Sequence, residues 1–119
     1  MRDDSERLWD ILKAIDQIAA KTGEERAEFD ANEMLQVWVL HHLQIIGEAS
    51  RCLSETFRQT HPDPVWAKAA GMRHILVHHY FEIDPQQVWK VVERDLPVLK
   101  STVHRILSAS KETPRRDSE

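Results

Sequence analysis

The segment Gly71-Met72-Arg73-His74-Ile75-Leu76-Val77-His78-His79-Tyr80-Phe81 concentrates the residues of this chain best suited to chemistry. It holds an arginine, three histidines and the only tyrosine, and it contains no acid. A guanidinium matches phosphate oxygens bidentately, and an imidazole exchanges protons near neutral pH. Arg73 and His78 together offer a cation for an anionic group and a proton donor or acceptor beside it. His74 and His78 stand four apart, as two metal ligands on one helical face would. There is no H-E-x-x-H glutamate and no clear third ligand, so no metal and no cofactor are expected. On an ideal helix Arg73 and His78 would lie roughly 140° apart, whereas Arg73 and Tyr80 would nearly share a face about 10 Å apart along the axis. One straight helix cannot converge all three. Either the helix ends near His78 and turns Tyr80 back, or two protomers join their segments across a symmetry axis. Without context the structural reading of the three residues, a solvated arginine, a hydrogen-bonded histidine and a packed tyrosine, would be favoured.

The elements that must position this segment read as helices. Leu8, Ile11, Leu12, Ile15, Ile18 and Ala19 form the i, i+3, i+4, i+7 stripe of a first helix, and Gly23 stops it. Asp30 with Glu33 fits a capping box, which opens a second helix running to about Thr60 without a proline. Its apolar residues, among them Met34, Val37, Trp38, Leu43, Ile45 and Phe57, cover more than one stripe, so this helix is either central or partly covered by a second chain. Asp63 and Pro64 supply a cap and a first helical position for a third helix over about 65–79. Gly71 inside it marks a helix-to-helix joint or a close backbone approach. Asp84, Pro85 and Gln87 repeat the pattern for a fourth helix. Pro97 interrupts that helix, so that Asp95 caps a fifth from about Leu96 to Leu107. The expected fold is all-α, an antiparallel bundle of about five helices, with one domain over 1–110 and a polar tail over 111–119.

The bulk properties exclude several classes. With 119 residues there is room for one domain. With 41% hydrophobic against 30% charged residues the chain can bury a core and is not a disordered tail. Three glycines and five prolines are too few for the turns of a small sandwich or barrel. The net charge of −4 lacks the basic footprint of a phosphate-backbone binder, so nucleic-acid binding would need a local site. Cys52 is the only cysteine, which forbids an internal disulfide and fits a reducing compartment. No apolar stretch is long enough for a signal peptide or a span, so the expectation is a cytoplasmic protein without membrane contact.

The motif and its surroundings resemble the HepT family of toxins, within the HEPN superfamily of small all-α domains. The marker is R-x4-H-x-Y, matched by Arg73, His78 and Tyr80 and preceded by Gly71-Met72. A second is Ile45-Ile46-Gly47-Glu48-Ala49, like the family's I-x-G-E-A segment, and Val88-Trp89 and Asp95-Leu96-Pro97 also look like family positions. His74 departs from the asparagine that relatives often carry there. The resemblance implies a metal-independent endoribonuclease, the toxin of a prokaryotic type VII-like toxin–antitoxin pair. It further implies a minimal nucleotidyltransferase antitoxin of the MntA type that adenylylates Tyr80. On this reading Arg73 and His78 are catalytic, with His74 and Glu48 in support. Glu48 would serve as a buried acceptor orienting Arg73 or a histidine, against the alternative of a surface glutamate. The chemistry of the residues agrees: metal-free RNA cleavage needs a base for the ribose 2′-OH, a proton donor for the leaving 5′-oxygen, and positive charge at the phosphorane. The expected partners are RNA, the nucleotidyltransferase and a second copy in a homodimer. The alternative is a non-catalytic HEPN binding module that docks the nucleotidyltransferase. His41 and His42 read as satisfied histidines at a packing or subunit boundary, and the four tryptophans as core and interface anchors rather than base-stacking platforms.

Overall fold

In the computed structural model, which describes residues 3–22, 26–72 and 84–109, the regular structure of the described residues is helical throughout. Helix α1 (Asp4–Thr22) starts where the Asp3 carboxylate accepts the Glu6 N–H at 2.9 Å. It buries Leu8, Ile11, Leu12, Ile15 and Ile18 as its periodicity predicts, with Ala14 rather than Ala19 completing the inner face.

The next helix does not begin at the expected place. Asp30 lies inside a short helix, α2 (Arg26–Ala31), where it pairs with Arg26 at 3.4 Å. The cap of α3 (Glu33–Arg51) is Asn32, whose side-chain oxygen accepts the Leu35 N–H at 3.0 Å. Both residue types can cap, and the local pattern does not separate them. Gln36 settles the junction by donating to the Phe29 and Asp30 carbonyls at 3.0 and 3.2 Å.

Helix α3 also stops earlier than Thr60. It ends at Arg51, and a separate helix α4 (Glu55–Thr60) comes after a break at 52–54. Ser54 makes that break: its hydroxyl accepts the Phe57 N–H at 3.0 Å as the cap of α4. The same hydroxyl donates to Asp4 at 2.6 Å, while the Ser54 N–H donates to the other Asp4 oxygen at 2.8 Å. Arg58 reaches back to the exposed end of α3 and donates to the Ser50 and Arg51 carbonyls at 3.1 and 2.7 Å, satisfying acceptors that the helix leaves unpaired. The Asp4–Ser54 contact brings the start of α1 to the end of α3, so the two helices run antiparallel.

Helix α5 (Val65–Ala70) begins as expected, with the Asp63 carboxylate accepting the Val65 N–H at 2.9 Å. Gly71 is its C-cap at φ −70°, and a Cβ there would meet only ordinary contacts at 3.4 Å. The close approach is therefore not its role here; Gly71 ends α5, and what directly follows Met72 lies outside the described residues. The remainder of the expected third helix lies outside the described residues, as does the tail over 111–119.

Asp84 caps α6 (Pro85–Lys90) by accepting from Gln86 and Gln87. Pro97 does not interrupt the chain of helical turns beyond it. Residues Val91–Asp95 widen into a π-helical turn, with the Leu96 N–H bonded to the Val91 carbonyl five residues back, and the chain continues as α7 (Leu96–Ala109). Proline lacks an N–H, and its ring collides with the carbonyl four residues earlier. The wider turn moves the Glu93 carbonyl out of the way. Asp95 faces Lys68 at 3.8 Å rather than capping a new helix.

Helix α1 packs on α3 and α7, α3 on α5, and α2 on α3 and α6. Lys100 of α7 meets Asp16 of α1 at 3.2 Å. The centre is a continuous apolar core of Ile11 and Ile18 from α1, Val39, Leu43 and Ile46 from α3, Phe29 from α2, and Leu99 and Val103 from α7. No described helix is long and apolar enough to cross a membrane.

Candidate functional site

Arg73, His74, His78 and Tyr80 lie outside the described residues. The structure defines what holds the two ends of the chain that carries them. On the entry side α5 is fixed at its start. Trp66 donates its indole N–H to the His61 carbonyl at 2.9 Å, and its ring meets Phe57 edge-on with centroids 5.3 Å apart. Met72, the last residue before the segment, is buried. On the exit side Asp84 and Pro85 fix the first turn of α6, and Trp89 packs its ring on Phe29 of α2 at 5.2 Å. Both α5 and α6, the helices on either side of the segment, pack on α3, the helix that bears Glu48.

Glu48 itself is on the outer face of α3, with its side chain 48% exposed. Its carboxylate takes two hydrogen bonds from Arg51, at 2.6 Å from Nη2 and 3.3 Å from Nε, and the Cys52 thiol lies 3.7 Å from the same oxygen that Nη2 meets. Hydrogen bonding and charge from Glu48 raise the Arg51 pKa above its ordinary value. Its relation to Arg73 and to the motif histidines lies outside the described residues. Among the described residues no three His, Cys, Asp or Glu side chains gather as a metal site requires.

His42 is buried, with Nδ1 at 2.9 Å from the Trp38 carbonyl and its ring 4.4 Å from the Trp38 ring. It is the satisfied packing histidine that the sequence suggests, while its neighbour His41 is exposed. Trp66 and Trp89 are core residues. Trp9 and Trp38 instead border open grooves beside α1, and Lys21 sits 5.7 Å above the Trp38 ring.

The ribonuclease HepT-like family model matches residues 11–106, a span that runs from α1 to α7 and contains the whole R-x4-H-x-Y motif. The chain belongs to the HepT-like ribonuclease family. A Methanocaldococcus jannaschii protein named as a candidate RNase is 39% identical over 103 residues, covering 86% of this chain and 94% of that protein. A Thermococcus cleftensis protein described as a probable ribonuclease HepT is 37% identical over 106 residues, covering 88% and 96%. No solved structure matches the chain. Within the HepT-like family, then, this member has the arginine, histidine and tyrosine at the motif spacing and carries Glu48 on the helix against which both flanking helices pack.

Proposed function

We propose that this protein is a metal-independent endoribonuclease, the toxin of a prokaryotic toxin–antitoxin pair acting in the cytoplasm. The observation that carries the reading is a family match spanning the full chain of helices, with Arg73, His78 and Tyr80 intact inside it. His78 takes the proton from a ribose 2′-OH, and the freed oxygen attacks the adjacent phosphorus. Arg73 stabilises the charge of the phosphorane, and the 5′-oxygen leaves with a proton returned from the imidazolium. His74 and Glu48 support the pair. The products are a 2′,3′-cyclic phosphate and a 5′-hydroxyl end. Purified protein is expected to cut RNA in the presence of EDTA and leave those ends, read by end-labelling and mass spectrometry. A requirement for magnesium, or a 3′-hydroxyl product, overturns the mechanism. Tight binding of a nucleotidyltransferase with no cleavage identifies the alternative, a non-catalytic docking module.

The same reading includes a two-fold homodimer. Its support is the outer stripe of α3, where Met34 is 83% and Val37 54% exposed and where Trp38 and Ile45 are only partly covered. A second copy laid on this stripe would remove the apolar surface from water and bring two motif segments to one cleft. Light scattering is expected to give twice the 13.9 kDa chain mass, and a fully active monomer at working concentration would refute the composite cleft.

A further inference from the structure

Substrate has to be held by an acidic chain with a net charge of −4, so RNA affinity must come from local fields. One groove concentrates cations from three separate elements. It has a volume of about 230 Å³ and is lined by Arg26 of α2, Gln86, Trp89 and Lys90 of α6, and Glu93 and Arg94 of the π-helical turn. Trp89 is buried and locked against Phe29, which gives the groove a rigid floor. Lys90 and Arg94 make no ion pair among the described residues, and both are exposed. Among the described residues Arg26 is engaged only by an exposed contact to Asp30, four residues on in the same helix. A solvated pair of that kind is weak, so the guanidinium is available to a stronger acceptor.

The groove also stands close to the motif in the chain. Along the helix axis Lys90 is about 9 Å and Arg94 about 15 Å from Asp84, the residue at which the described chain resumes after the segment bearing Arg73 and His78. From these observations we infer that the groove binds the phosphodiester backbone of the RNA strand flanking the cleavage site. This rests on the ribonuclease reading above. Arg26, Lys90 and Arg94 supply the charge, and the Gln86 amide offers a hydrogen-bond donor to a phosphate or ribose oxygen. Such contacts position the strand without reading its sequence. Glu93 opposes the same ligand and limits its affinity, which provides a test of sign.

Binding of fluorescein-labelled single-stranded RNA is measured by anisotropy across a salt series. All proteins carry His78→Ala, so that the RNA is not cut. Lys90→Gln with Arg94→Gln is expected to weaken binding at least about fivefold at low salt and to flatten the slope of log K against log salt by about 1.4, for two lost phosphate contacts. Glu93→Gln is expected to tighten binding. With His78 restored, the double variant is expected to raise KM and leave kcat unchanged. If the protein cleaves RNA but the double variant keeps the same affinity and salt slope, the groove is wrong and the ribonuclease reading stands. Loss of binding in the double variant of a protein that never cleaves keeps the groove and overturns that reading. No RNA binding by any form overturns both.

Discussion

Replacing His78 with alanine is expected to lower RNA cleavage by at least about 10³-fold, because in the proposed mechanism one imidazole serves both proton transfers and each such role contributes about 10² to 10⁴. Growth inhibition on expression should disappear in step. Arg73→Ala should cost about 10² to 10³, the range for removing a donor that stabilises charge in the transition state. Arg73→Lys should fall between wild type and alanine, since it keeps the charge and loses the bidentate fork. Circular dichroism and thermal melting separate loss of chemistry from loss of fold. The substituted groups are proposed to act in chemistry rather than packing, so the melting profile should not change. A folded His78→Ala protein that cleaves at the wild-type rate removes the histidine from the mechanism.

Legibility of this molecule in its sequence tracks the range of the forces involved. The Asp84-Pro85 start of α6 is readable because the cap, the fixed φ and the donating N–H groups all lie within four residues. The break between α3 and α4 is readable only in part: the Ser54 cap on Phe57 is local, whereas the Asp4 carboxylate that holds Ser54 lies 50 residues away in sequence, outside any local window. Asn32 prevails over Asp30 for a similar reason: Asp30 is taken up in α2, and Gln36 ties the last carbonyls of that helix to α3. Pro97 reads as a stop because a regular α-helix cannot hold it, and the helix absorbs it by widening one turn. Types and spacing make Arg73, His78 and Tyr80 visible without any structure. The reverse holds for the cationic groove. Arg26, Lys90 and Arg94 are far apart in sequence or interleaved with Glu93, so they form no basic run, and only the packing of α2 on α6 assembles them.

Adenylylation of Tyr80 is expected to switch cleavage off, and the expected loss matches that of His78→Ala. We propose this role from the resemblance of the motif, in which the tyrosine stands two residues after the histidine. In the modifying step the phenolic oxygen attacks the α-phosphorus of ATP. A new O–P bond forms, the bond to the β-phosphate oxygen breaks, pyrophosphate leaves, and the phenolic proton passes to a base. The product carries a phosphodiester anion close in sequence to Arg73 and His78. That anion can engage Arg73 or a protonated histidine in a charge-assisted hydrogen bond and compete with the RNA backbone for the same positive groups. Because Tyr80 is the only tyrosine in the chain, Tyr80→Phe removes the phenolic acceptor and little else. Protein is incubated with its cognate nucleotidyltransferase, ATP and magnesium, and intact mass and cleavage are followed together. Wild type should gain one or more AMP groups and lose cleavage in proportion, while Tyr80→Phe should gain none and stay active under the same treatment. Equal labelling of both proteins places the modification elsewhere, and labelled wild type that still cleaves separates the modification from control of the active site.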